Sequence, residues 1–250
     1  MDLFVAGAGP AYSARPGAVG ASYLVTLDGH TIALDLGHGA YARLAGEIEP
    51  SVLDAVLISH LHPDHFVDLV ALRHYLRYEF TPARSVRVVG PRGLDQRLDD
   101  LHAQPGFSAE SLDVEVLEPG VSTIGPFAVE ARRITHTDDS YALRVWPARD
   151  PAAPGLVYSG DCGRGEDLVP LIRPGDTLLA EASFGTGPVP VGDMHLDGGS
   201  AGRAAAAGGA GLLLLTHILG TYDLDAVVAM ARSAFGGPVR FVSPGDRLAL

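Results

Sequence analysis

Three histidines and one aspartate fall within the six positions His60 to His65 of the segment Ser59-His60-Leu61-His62-Pro63-Asp64-His65. The segment follows an apolar run, Ala55–Ile58, that reads as a buried strand. Residues two apart in an extended chain point the same way, so His60 and His62 are placed to face one metal ion. Pro63 turns the chain, and Asp64 with His65 can then face a second ion beside the first. Imidazoles and a carboxylate suit zinc or another borderline divalent ion. The alternative is a polar turn that happens to be rich in histidine, but burying so many titratable groups without a ligand is costly.

One segment cannot complete two metal sites. Ile134-Thr135-His136 closes the run Phe127–Ile134, Ser159-Gly160-Asp161 closes Leu156–Ser159, and Leu215-Thr216-His217 closes Leu212–Thr216. Ligand sites in sheet proteins gather at the carboxyl ends of strands. Taken singly, His136 or His217 could be a satisfied core histidine, and Asp161 could cap a helix starting near Gly163. Four strand ends that each offer a ligand form a constellation that none of them makes alone.

The elements that must position these residues are read from periodicity. Strands are expected at Leu3–Ala6, Ala21–Leu27, Thr31–Asp35, Ala55–Ser59, Val86–Gly90, Val114–Leu117 and Phe127–Ile134. They continue at Tyr141–Trp146, Leu156–Ser159, Thr177–Ala180, Leu212–Thr216, Val239–Val242 and Arg247–Leu250. Helical patterns fit Phe66–Tyr78, Gly93–Leu101, Gly163–Leu171, Gly199–Gly208 and Leu224–Ala234, the last capped by Asp223. Pro147 to Gly155 reads as a hairpin loop, and no composition break divides residues 1–250, so one domain is expected with sheet inside and helices outside.

Composition narrows the function. The chain has 250 residues, 47% of them hydrophobic and 19% charged, which fits a globular protein with a sizeable core. Its net charge is 18 − 30 = −12, which argues against a broad surface for nucleic-acid backbones. The single cysteine, Cys162, excludes an internal disulfide or a cysteine-rich zinc module and reads as a packing residue. No signal peptide or bilayer-spanning run is apparent, so the expectation is a cytoplasmic protein without a membrane partner.

The combined pattern resembles the metallo-β-lactamase superfamily, and within it ribonuclease Z and its shorter phosphodiesterase-like relatives. Gly7-Ala8-Gly9-Pro10 resembles the opening glycine loop and Leu34-Asp35-Leu36-Gly37 the first aspartate motif. His60, His62, Asp64 and His65 match the histidine motif, and His136, Asp161 and His217 match the later ligands. Leu179-Ala180-Glu181-Ala182-Ser183-Phe184 resembles the ribonuclease Z glutamate motif, with Ser183 where threonine is usual. Met194-His195-Leu196-Asp197 resembles the next histidine motif, with Leu196-Asp197 in place of serine-threonine.

The resemblance implies an α/β four-layer αββα sandwich with two divalent metal ions at one edge, zinc by default and manganese or iron as alternatives. It implies that His60, His62 and His136 hold one ion, that Asp64, His65 and His217 hold the other, and that Asp161 bridges them. Water activated between the ions would attack phosphorus, Asp64 would help orient it, and His195, held by Glu181, would protonate the leaving oxygen. A surface ion pair is the other reading of Glu181 and His195. Only 24 residues separate His136 from Asp161, too few for the long arm with which ribonuclease Z grips transfer RNA. A small anionic phosphodiester is therefore expected, either a cyclic nucleotide or a short oligonucleotide. Transfer-RNA 3′ processing, hydrolysis of an aryl sulfate, lactone or thioester, and a non-catalytic metal scaffold are the alternatives. A homodimer is compatible with this reading, and the Arg73, Arg77, Tyr78 helix either lines the substrate mouth or is an ordinary half-solvated helix.

Overall fold

A computed structural model describes residues 1–250. Two seven-stranded sheets carry the chain. The first runs, edge to edge, β14 (Arg247–Ala249), β1 (Asp2–Gly7), β2 (Ser22–Leu27), β3 (His30–Leu34), β4 (Ala55–Leu57), β5 (Val86–Gly90) and β6 (Leu112–Val116). The second runs β13 (Val239–Phe241), β12 (Leu212–Thr216), β11 (Thr177–Glu181), β10 (Leu156–Tyr158), β9 (Tyr141–Pro147), β8 (Phe127–Arg133) and β7 (Gly120–Ile124). Tyr23, Ile32, Leu143, Tyr158 and Leu179 pack between the two sheets. A fully buried side chain such as Leu143 contributes about 1.5–3 kcal/mol there.

Helices cover both outer faces. Leu44 of α1 (Ala40–Glu47), Leu72 and Leu76 of α3 (Leu69–Tyr78) and Leu98 of α4 (Leu94–His102) close the first. Ala201 and Ala205 of α5 (Gly198–Gly208) and Val227 and Ala231 of α6 (Leu224–Phe235) close the second. The small residues of α5 let the two helices touch, since a Cβ at Gly202 would stand 2.5 Å from the Ala231 carbonyl oxygen. The four-layer αββα sandwich that the resemblance implied is thus present. Asp223 caps α6 by accepting from the Ala226 amide at 3.0 Å.

Strand direction builds the site. β8 and β10 are each antiparallel to β9, and β10, β11, β12 and β13 are mutually parallel, so five strands of the second sheet end at one edge, and the ligands follow β8, β10 and β12. β3 and β4 are parallel in the first sheet and end together. The chain segments after these strands meet across the sandwich.

Several expected elements differ. The helix expected at Gly163–Leu171 is only a 3-10 turn at Gly165–Asp167. Its backbone is held elsewhere: the Gly163 amide donates to the Thr135 carbonyl at 2.6 Å, and the Asp167 carboxylate accepts from the Thr135 amide at 2.8 Å. The helix expected from Phe66 to Tyr78 is split into α2 (Pro63–Phe66) and α3, because the Asp68 amide is drawn to the Leu36 carbonyl. β7 was not expected, since Gly-Val-Ser-Thr-Ile lacks an alternating pattern; its hairpin with β8 supplies the pairing. α1 was also unread, because only Ala40 and Leu44 of its eight residues are buried.

Candidate metal centre

Asp161 sits at the centre of the meeting strand ends, buried and facing two groups of ligand atoms. His60, His62 and His136 form one group with it, and Asp64, His65 and His217 form the other. Within each group the ligand atoms lie within 4.8 Å of one another. The two oxygens of Asp161 divide between them. Oδ2 lies 3.7 Å from His60 Nε2 and 3.8 Å from His136 Nε2, whereas Oδ1 lies 3.3 Å from His65 Nε2 and 3.5 Å from His217 Nε2. All seven residues singled out from the sequence are therefore brought together, and Asp161 caps no helix.

The outer nitrogens of His65, His136 and His217 are tied down, which leaves their inner nitrogens facing the site. His65 Nδ1 donates to Asp35 Oδ2 at 2.7 Å, and His136 Nδ1 donates to the Met194 carbonyl at 2.8 Å. His217 Nδ1 lies 2.9 Å from Ser183 Oγ, which donates to Glu181 at 2.8 Å, so the histidine is the donor in that pair. Inside the site, His62 Nδ1 faces His136 Nε2 at 3.1 Å and His65 Nε2 faces His217 Nε2 at 3.3 Å. His60 Nε2 and Asp161 Oδ1 are buried with no hydrogen-bond partner at all. Buried polar atoms without partners are rare, and inward lone pairs on rings fixed from behind are what a metal ion requires. The donor set of imidazoles and carboxylates fits a pair of divalent ions.

For three of the rings the electrostatics agree. Burial, reinforced by the neighbouring rings, pushes His60 and His62 below the usual imidazole range, and burial does the same to His136. Neutral imidazole is the ligating form. Burial would raise Asp161, but the His217 and His65 rings outweigh it and hold the carboxyl well below its ordinary value. Burial would lower His65, but the Asp161 and Asp35 carboxylates carry it upward.

The first aspartate motif works from behind the ligands. Asp35 accepts from the Ser59 amide, the Ser59 hydroxyl and the Tyr158 hydroxyl at 2.6–2.7 Å, as well as from His65. Gly37 lets the ligand loop close on β2 and β3, since a Cβ there would stand 1.8 Å from the Asp64 carbonyl oxygen. Asp35 and His217 both take left-handed backbone, with φ of 59° and 55°. Such strain gathers at functional sites. The opening glycine loop has a packing task instead: a Cβ at Gly7 would meet the Gly20 carbonyl oxygen at 1.8 Å.

Glu181 is fully buried, so its pairing with His195 is no surface ion pair. Oε1 accepts from His195 Nδ1 at 3.0 Å and from the Cys162 and Leu196 amides at 3.0 and 3.2 Å. Burial would lower His195, but the hydrogen bond and charge of Glu181 raise it to about 9. Cys162 is a buried packing residue whose thiol burial pushes up. A cavity of about 410 Å³ opens over His62, Asp64, Asp161, Ser183, His195 and His217. Neither Arg73, Arg77 nor Tyr78 borders it; Arg73 is buried, with its Nε donating to the Phe107 carbonyl and its head paired with Glu110. Ser183, known from the sequence only as a departure from a motif, and Tyr158 are the supporting residues that sequence reasoning gave no role.

Comparison with known proteins bears on this geometry. The family model for the beta-lactamase superfamily domain matches residues 35–218, a span that holds every residue of both ligand groups. The chain belongs to the metallo-β-lactamase superfamily. Among superfamily relatives, an uncharacterised Mycobacterium leprae protein, ML1173, is 35% identical over 221 residues, covering 86% of this chain and 76% of that protein. YhfI of Bacillus subtilis, named a probable metallo-hydrolase, is 25% identical over 223 residues and 89% of each chain. Its crystal structure matches with a TM-score of 0.87, covering 99% of this chain and 98% of that one at 23% identity. The short form of human tRNase Z matches with a TM-score of 0.76 and 20% identity, covering 100% of this chain and 99% of that one. No helix in this superfamily member is long and apolar enough to cross a membrane.

Proposed function

We propose that the protein is a dinuclear metal-dependent hydrolase acting on a small phosphodiester. His60, His62 and His136 would hold one ion and Asp64, His65 and His217 the other, with Asp161 belonging to both groups; zinc is the first choice and manganese or iron the alternatives. The observation that carries this reading is the division of the two Asp161 oxygens between the two histidine groups. Bound as a pair, divalent cations lower the pKa of a water molecule and neutralise charge on a phosphoryl group. Asp64 lines the cavity with Oδ2 3.2 Å from His217 Nε2, and in this reading it would orient the attacking water.

The Glu181–His195 pair favours a phosphodiester over a sulfate, lactone or thioester. Glu181 fixes Nδ1, which leaves the His195 Nε2 proton free to reach a leaving oxygen. An alkoxide leaving group needs that proton, whereas a p-nitrophenolate does not. The reading is therefore tested by His195→Ala on two diesters. Turnover of the alkyl-leaving diester is expected to fall by about 10²–10⁴-fold, with a much smaller effect on bis-p-nitrophenyl phosphate. Equal effects on both would remove His195 as the proton donor. Transfer RNA is disfavoured by the net charge of −12 and by the short β9–β10 connection where a gripping arm would stand.

A further inference from the structure

The cavity over the ligand cluster has two unlike zones. Its floor is the histidine and aspartate cluster, and its rim is apolar, formed by Pro10, Ala11 and Tyr12 on one loop and by Phe184 and Leu219 on others. Tyr12 is the anomaly on that rim. It is 72% exposed, the most exposed aromatic ring of the protein. The other highly exposed tyrosine, Tyr78, has the guanidiniums of Arg73 and Arg77 at 5.7 and 5.6 Å from its ring centre. No such partner covers Tyr12. Its loop is nevertheless fixed: the Arg15 guanidinium donates to the Tyr222 carbonyl at 2.7 Å and to the Leu219 carbonyl at 3.4 Å. The ring is held at the mouth by a tethered loop, with Phe184 contributing a second ring, 6.0 Å from that of His195.

Charge on the rim narrows the ligand further. The chain contains no lysine, and none of its arginines borders the cavity; the one charged group there outside the cluster and its catalytic histidine is the Asp193 carboxylate. A polyanion needs cationic side chains along its backbone, and a second phosphate at this mouth would meet Asp193 instead. The volume of about 410 Å³ falls within the range of about 300–1,000 Å³ that small-molecule sites occupy.

From this we infer that Tyr12, with Phe184, is a stacking platform for the base of a mononucleotide-sized phosphodiester that carries no second phosphate. The inference rests on the phosphodiesterase reading for its phosphate and adds the residue that selects what the phosphate is attached to. Stacking of a base on an aromatic side chain contributes about 1–3 kcal/mol, which is about 5- to 150-fold in affinity.

The test uses two esters with one leaving group, thymidine 5′-(p-nitrophenyl phosphate) and methyl p-nitrophenyl phosphate, on the metal-loaded protein. Tyr12→Ala is expected to lower the ratio of kcat/KM between nucleoside and methyl esters by about 5- to 100-fold, mostly through KM, and Tyr12→Phe to preserve it. Calorimetric binding of adenosine monophosphate to the same three proteins gives a second readout, with weakening in Tyr12→Ala alone. An unchanged ratio together with unchanged nucleotide binding in Tyr12→Ala overturns the stacking platform. If the wild type turns over neither ester, the phosphodiesterase reading falls, and the binding measurement still decides whether Tyr12 holds a base.

Discussion

Two clusters of buried charge sit in the second sheet and differ in one respect. Arg144 on β9 and Asp176 beside β11 form an ion pair at 2.7 Å in which every acceptor is used. Asp176 also accepts from the Gly155 and Arg173 amides, and Arg144 reaches the Ala153 carbonyl. Asp161 is just as buried, yet Oδ1 has no hydrogen-bond partner, nor has His60 Nε2. A satisfied buried pair locks structure, while an unsatisfied one surrounded by inward-facing ring nitrogens is shaped for something that arrives later. Burial and charge alone do not separate a structural cluster from a functional one; the hydrogen-bond account does.

The comparison breaks most readily at Asp161. Asp161→Ala is expected to remove the second ion and lower esterase activity by more than about 10³-fold, seen by metal analysis beside a turnover assay. Its fold should persist by circular dichroism. Asp176→Ala should do the reverse. Leaving Arg144 buried and unpaired is expected to destabilise the protein by about 3–5 kcal/mol in urea unfolding, with the metal content of the folded fraction unchanged. Metal loss in that variant, or a large stability loss on Asp161→Ala in chelator, would erase the distinction.

Asp35 lies between the two kinds. It is fully satisfied, but its partner His65 belongs to the cluster. Asp35→Asn keeps the size and loses the charge, and a fall of about 10–100-fold in metal affinity is expected from a competition titration.

The smallest effect is a titration. In chelator-treated protein His195 should titrate at about 9 by NMR, and Glu181→Gln should move it down. Because its pKa is raised above the unfolded value of about 6.5, this pair's contribution to stability is complete below that pH. It is lost as pH rises through about 9. An unmoved titration in the variant would mean that Glu181 is not what raises the ring.

The ligand set was readable because each ligand ends or follows a short apolar run, and such runs are the clearest signal in the sequence. His60, His62, Asp64 and His65 needed only the local alternation rule, whereas His136, Asp161 and His217 became persuasive only as a set. What the sequence concealed was decided by tertiary contacts. Gly163–Leu171 has helical spacing, yet the Thr135 backbone takes the Gly163 amide and the Asp167 carboxylate. β7 exists because β8 pairs with it. Arg73 looked like a solvated or substrate-facing group on a helix and is in fact buried against Phe107, with its guanidinium carbon 4.1 Å from that ring's centre. Tyr12 gave no periodic signal, since its importance lies in what surrounds it.

The claim that the unsatisfied Asp161 cluster is a two-ion site is tested most directly by titrating zinc into chelator-treated wild-type protein and Asp161→Ala by calorimetry. The account predicts two ions per wild-type chain, at most one in the variant, and phosphodiester turnover that appears only as the second wild-type site fills. Absence of tight binding in the wild type, or two equally tight ions in the variant, would contradict it.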